Sequence, residues 1–248
     1  MIKQVFVFVL SFLIGGIGGG LLYAQKVLYI GDSITDGSWG RSTGRGEPSD
    51  KRNHKDLNHI YGHSYVYLCA AELQAKYPEK QIQVWNRGIS GDMLPDMAKR
   101  WQTDMLDLHP DILSVLIGTN DINHYLRYQA DTLANFDFKK WEETYRSLLQ
   151  QARAQNPDLK IILGAPFVGS KSKQYERRKE MVKQLAEIVS RLAKEFNATY
   201  LPYDDMFAQL TQNEPYEGYW IWDGIHPTAA GHYKMAQMWL EKLYSIPR

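Results

Sequence analysis

Short β-prone runs alternate along this chain with longer stretches of helical spacing, and no other feature restricts its fold as much. Val27–Ile30, Ile82–Trp85, Ile112–Ile117 and Lys160–Leu163 read as strands, with Thr199–Leu201 as a short fifth. Phe138, Trp141, Tyr145, Leu148, Leu149 and Ala152 recur at helical spacing, and so do Val182, Leu185, Ile188, Val189, Leu192 and Phe196. A last helix is expected from about Thr228, with Pro227 just ahead of it and Tyr233, Ala236, Leu240 and Leu243 on one stripe. Strands alternating with helices in this way build an α/β domain, a parallel sheet covered by helices on both faces.

Ser38–Gly62 breaks the pattern. This segment is rich in Gly, Ser, Asn, Asp, Lys, Arg and His and carries neither period, so it reads as a long loop inserted into the domain. Its large apolar or aromatic residues are Trp39, Leu57, Ile60 and Tyr61, which suits polar contacts better than enclosure of a fatty chain. Ahead of the first strand, Lys3, the apolar stretch Val5–Ile14 and the small residue Ala24 have the layout of a signal peptide over residues 1–24. The competing reading is an uncleaved membrane anchor. With cleavage, residues 25–248 form one domain in the envelope or medium, secreted or periplasmic, with no stable membrane insertion. No linker or internal repeat divides them.

Charge and cysteine content exclude several partners. The 29 basic and 28 acidic residues of the 248-residue chain nearly cancel, so no global field draws it to nucleic acid or an acidic membrane. The single cysteine, Cys69, lies in the apolar run Val66–Ala71 and reads as a buried small hydrophobe. The glycines at 15–20 do not make a dinucleotide fingerprint, because the sixth position counted from Gly16 is Leu21.

The residues able to do chemistry sit at strand ends. Ser33 follows the first strand in Gly31-Asp32-Ser33-Ile34-Thr35-Asp36-Gly37, at the edge where open α/β sheets place ligands. A serine hydroxyl needs a neighbouring base to attack an ester; on position alone, Ser33 equally suits a helix cap. A base is available in Trp222-Asp223-Gly224-Ile225-His226-Pro227, where an Asp three residues before a His can reach the imidazole within one tight loop. Taken alone, that segment also reads as an Asp-Gly turn before a helix. Asn86-Arg87-Gly88-Ile89-Ser90-Gly91-Asp92 and Gly118-Thr119-Asn120-Asp121 follow the second and third strands and could supply oxyanion donors, although each could be only a turn.

Together these four segments resemble the blocks of the SGNH hydrolases, the GDSL-type esterases and lipases. Gly31-Asp32-Ser33, Ile89-Ser90-Gly91-Asp92, Gly118-Thr119-Asn120-Asp121 and Asp223-Gly224-Ile225-His226-Pro227 occur in the family's order. The resemblance implies a three-layer α/β/α sandwich, flavodoxin-like, with about five parallel strands, and hydrolysis without metal or organic cofactor. It implies as oxyanion donors the backbone amides of Ser33 and Gly91 and the side chain of Asn120. The insertion after Gly37 departs from the simplest members. An α/β-hydrolase elbow at Ser90 fits poorly, because Asp92 stands where the motif needs its last glycine.

The expectation is an exported serine esterase that cleaves small, acetyl-type esters on carbohydrate, with Ser33 as nucleophile, His226 as base and Asp223 as its orienting carboxylate. A lysophospholipase or short-chain thioesterase is the alternative within the family, and a non-catalytic carbohydrate-binding protein the alternative outside it. The remaining features read more plainly. His54, His59 and His63 could hold a metal but look like parts of a solvated loop, and His109, His124 and His232 receive no role. Tyr200, Tyr203, Tyr216, Tyr219, Trp220 and Trp222 crowd the approach to Asp223 and could stack on sugar rings or pack under the loop. Glu176–Glu180 reads as the solvated face of a helix.

Overall fold

The computed structural model describes residues 26–38, 61–128 and 135–246. The expected leader at 1–24 lies outside the described residues, as does the insertion apart from Ser38, Tyr61 and Gly62. The core is one sheet of five parallel strands: β1 (Lys26–Gly31), β2 (Gln83–Gly88), β3 (Ile112–Leu116), β4 (Lys160–Gly164) and β5 (Thr199–Leu201), in the order β2-β1-β3-β4-β5. The order changes direction around β1, which has β2 on one side and β3 on the other. Chain leaving β1 and β3 therefore opens a crevice at the carboxyl edge of the sheet.

Strand alternation sends side chains to two cores. Leu28, Ile30, Leu113, Val115, Ile161 and Leu163 face one, while Val27, Tyr29, Ile112, Leu116 and Ile162 face the other. The first is covered by α3 (Leu94–Lys99), α4 (Trp101–Asp104), α5 (Thr119–Tyr128), α6 (Phe138–Gln155) and α7 (Tyr175–Glu195). The second is covered by α2 (Tyr65–Lys76), α8 (Tyr203–Thr211) and α9 (Ala229–Ser245). Burial on both faces is why the central strands are continuous apolar runs rather than alternating ones. Ser114, the polar exception in β3, accepts a 3.0 Å hydrogen bond from Trp239 Nε1 in α9. Cys69 is fully buried in the second core, and burial pushes its thiol well up. Among the described residues, no helix is long and apolar enough to cross a membrane.

Several expectations need correction. The second strand begins at Gln83 and continues through Asn86, Arg87 and Gly88, which pair with Tyr29, Ile30 and Gly31; polar side chains hid this half of the strand. In α9 the buried stripe is Met235, Ala236, Trp239 and Leu243, whereas Tyr233 is 53% exposed. Helix α2 spreads apolar residues around its circumference and so shows little period. Within Glu176–Glu180, Arg178 is buried rather than solvated, because it turns toward Ser172.

Candidate active site

Ser33 owes its position to the glycine at the end of β1. A Cβ at Gly31 would stand 2.3 Å from the Leu116 carbonyl oxygen, so only glycine lets β1 and β3 stay paired where the chain leaves the sheet. Ser33 opens the single-turn helix α1 (Ser33–Asp36), but it is not the cap: Asp32 Oδ1 accepts from Ile34 N at 2.9 Å. The serine hydroxyl is thus left for another partner.

That partner comes from the other end of the chain. Ile221 and Pro227 form an antiparallel bridge, and Trp222 N donates 3.1 Å to the His226 carbonyl, closing residues 221–227 into a tight loop. Within it, Asp223 Oδ1 accepts from the amides of Ile225 at 2.9 Å and His226 at 2.7 Å, and Oδ2 stands 2.7 Å from His226 Nδ1. Partial burial alone would raise the Asp223 pKa, but the His226 and Ile225 amides and the imidazole hold it below the usual carboxylate range. A charged carboxylate at Nδ1 requires the ring proton there, which leaves the Nε2 lone pair free. Nε2 lies 2.9 Å from Ser33 Oγ.

Two further segments converge on the same edge. Gly91 has φ +92°, and a Cβ there would meet nothing within 4 Å, so backbone conformation rather than space calls for glycine. Asn120, in the first turn of α5, donates from Nδ2 to the Asp92 carbonyl at 3.1 Å. Next to it, Asp121 is buried and accepts from Leu94 N and Trp141 Nε1; burial raises its pKa to about 7. Burial raises Asp32 to about 7 as well, and its Oδ2 has no hydrogen-bond partner.

The sequence reading missed Arg100. Its Nε donates 2.7 Å to Asp92 Oδ2, Nη1 donates to the Arg87 carbonyl at 2.7 Å and to Asp104 Oδ2 at 2.9 Å, and Nη2 donates 3.0 Å to the Gly31 carbonyl. One guanidinium thereby ties together the ends of β1 and β2 and the loop that carries Gly91. Spacing gives no sign of this, because two of the acceptors are backbone carbonyls. His232, to which the sequence assigns no role, is half-buried, stacks on Tyr65 at 6.5 Å between centroids, and accepts from Tyr65 N through Nδ1 at 3.2 Å. Burial, assisted by the nearby His226, depresses its pKa to about 4.

The other candidates disperse. His63 is exposed, His109 closes a 3-10 turn with φ +47°, and His124 packs on Tyr128 at the surface, while His54 and His59 lie outside the described residues. No group of three or more His, Cys, Asp or Glu able to hold a metal ion is found among the described residues. Of the aromatics near Asp223, Tyr203 belongs to the core and Tyr200, Tyr219 and Trp220 are half-buried, but Tyr216 and Trp222 are 66% and 60% exposed. A cavity of about 620 Å³ opens beside Asn120, Asp223 and Ile225.

Residues 29–234 match the GDSL-like Lipase/Acylhydrolase family. The chain is 33% identical over 222 residues to an acetylxylan esterase from Geobacillus stearothermophilus, a match covering 88% of this chain and 94% of that protein. It is 26% identical over 136 residues to a multidomain esterase from Ruminococcus flavefaciens, covering 54% of this chain and 16% of that one. Among solved structures, a catalytic mutant of the Geobacillus acetylxylan esterase matches with a TM-score of 0.75 at 30% identity, over 90% of this chain and 96% of its own.

Proposed function

The chain belongs to the GDSL-like lipase/acylhydrolase family and is a carboxylic ester hydrolase, and on that footing we propose that it removes acetyl groups from carbohydrate through a covalent acyl-enzyme at Ser33. The observation that carries this reading is the relay in which Asp223 Oδ2 lies 2.7 Å from His226 Nδ1 and His226 Nε2 lies 2.9 Å from Ser33 Oγ.

Ser33 Oγ attacks the ester carbonyl carbon while its proton passes to Nε2, and Asp223 holds the resulting imidazolium. The oxyanion meets donors from the Ser33 and Gly91 amides and from Asn120 Nδ2, which need no reorganisation when charge develops. Collapse breaks the bond to the sugar oxygen, which takes the proton from Nε2. Water activated by His226 then attacks the acetyl-serine, restores the proton to Oγ and releases acetate.

Carbohydrate is favoured over lipid by the similarity to the Geobacillus acetylxylan esterase and by Trp222, whose exposed indole next to Asp223 offers a flat face for a sugar ring. The polar sequence of the insertion supports the same choice. Export follows from the signal-like residues 1–24, and the mature chain should then begin near Gln25.

The test combines labelling with a substrate screen. A fluorophosphonate should modify Ser33, and acetylated xylooligosaccharides should be hydrolysed faster than lysophospholipids or acyl thioesters. Labelling absent at Ser33, or a lysophospholipid preferred to every acetylated sugar, defeats the proposal.

A further inference from the structure

The balanced total charge conceals a strongly one-sided cavity. Its walls come from α5, from residues 171–174 ahead of α7, and from the loop that carries Asp223. Arg127, Lys171, Lys173 and Arg178 all line it, and among the described residues no ion pair joins any of them to a carboxylate. The one acidic lining residue is Asp223, whose oxygens are already engaged by His226 and the Ile225 amide.

Arg178 is the distinctive member. It is nine-tenths buried, its Nη1 donates to Ser172 Oγ, and its Nε has no partner. Burial lowers its pKa, with no carboxylate alongside to offset the cost. A guanidinium is rarely kept in such a place without an anion to pair with. The backbone adds to the same field. The 21-residue helix α7 begins beside the cavity after Gln174, whose φ of +53° and lack of a side-chain cap bond leave the first amides uncapped. An uncapped helix N-terminus favours an anion. Asn123, on the opposite wall, keeps a buried Oδ1 without a hydrogen-bond donor.

We propose that this cavity receives the carboxylate of a uronic acid, so that the preferred substrate is an acetyl ester on a uronate residue or on the sugar next to it. The proposal rests on the carbohydrate acetylesterase reading and sharpens it. Asn120 and Asp223 lie on the cavity wall, so an occupant there is adjacent to the reacting ester. Arg178 can bind a carboxylate through two parallel N–H donors, and Lys171 and Lys173 supply charge at the rim. A sugar hydroxyl can donate to Asn123 Oδ1.

The experiment compares kcat/KM for a monoacetylated methyl glucuronoside with that for the same compound as its neutral methyl ester, alongside an acetylated methyl xyloside. The acid should be preferred at least tenfold at low salt, mainly through KM, and the preference should shrink as salt is added. In the double variant Lys171→Ala/Lys173→Ala, which alters only exposed side chains, the ratio of acid to neutral ester should fall by at least threefold. As a second arm, glucuronate should inhibit p-nitrophenyl acetate hydrolysis at concentrations at least tenfold lower than glucose. Equal rates on acid and neutral ester overturn the proposal, and continued hydrolysis of the xyloside then shows that the acetylesterase reading survives. Stronger inhibition by glycerol phosphate than by glucuronate also overturns it, in favour of a phosphate ligand. If no acetylated sugar is hydrolysed, the broader reading fails as well.

Discussion

Asn120 points its side-chain amide at the carbonyl of Asp92, donating at 3.1 Å. That contact uses one of the two N–H bonds and holds the carboxamide against the loop that carries Gly91, leaving the other free for an oxyanion. Asn120→Ala should therefore lower kcat by roughly 10²- to 10³-fold with a smaller change in KM. Steady-state kinetics on p-nitrophenyl acetate check this, and a loss below fivefold would remove Asn120 from the oxyanion site.

Ser33→Ala and His226→Ala should each abolish most hydrolysis while the melting temperature stays close to that of the parent, since both side chains are only half-buried. Asp223→Asn should lose on the order of 10⁴-fold, because an amide in place of the carboxylate no longer fixes the tautomer that leaves Nε2 unprotonated. Burst kinetics with p-nitrophenyl acetate would show whether acylation or deacylation suffers.

Arg100 is expected to act as a positioning residue. Its four donor contacts reach Gly31, Arg87, Asp92 and Asp104, and a lysine cannot reproduce a planar fork that serves several acceptors. Arg100→Lys should lower kcat about 10²-fold with KM little changed, since displacement of the donors by about 1 Å suffices for such a loss. A merely structural role would lower stability and leave the kcat of the folded fraction intact; active-site titration with a fluorophosphonate separates the two.

Stability should depend on pH through opposed groups. His232 titrates near 4 in the fold, below its ordinary 6.5, so its contribution is present above about pH 6.5 and is lost as pH falls toward 4. Asp32 titrates near 7, above its ordinary 3.8, so it destabilises the fold progressively as pH rises from about 4 to 7. Asp32→Asn keeps an oxygen for the Ile34 amide and removes the buried charge. Its melting temperature should match the parent near pH 4 and exceed it at pH 8, by the equivalent of roughly 2–4 kcal/mol. Thermal denaturation at the two pH values is the measurement, and a variant less stable at pH 8 contradicts the assignment.

Acyl length gives a further check. Selecting a long chain requires removing each methylene from water at about 0.8 kcal/mol, and the insertion after Ser33 has few apolar residues to do so. Among p-nitrophenyl esters, kcat/KM should be highest for acetate or butyrate and decline by octanoate. A preference for decanoate would point instead to the lysophospholipase alternative.

The alternation of strand and helix was legible in the sequence because burial on both faces of a parallel strand leaves a continuous apolar run, and burial on one face of α6 or α7 leaves a helical period. The placement of Ser33, Gly91 and Asn120 on one edge followed from that alternation, since every parallel strand delivers its following loop to the same side; Asp223 and His226 come from the connection between α8 and α9, and only the tertiary structure brings them to Ser33. Local pattern said nothing, however, about polar residues whose partners are remote in sequence. Asn86 looked like a turn residue but belongs to β2, where its Nδ2 donates 2.9 Å to the carbonyls of Thr35 and Tyr61. Asp32, and not Ser33, turned out to cap α1. Arg178 read as part of a solvated helix face and Arg100 carried no signal at all, until folding brought Ser172 to the first and the Gly31 carbonyl to the second. Apolar burial repeats with the geometry of a single element and so leaves a period to read, whereas a buried polar group is tolerated only by the particular donors and acceptors that distant elements bring to it.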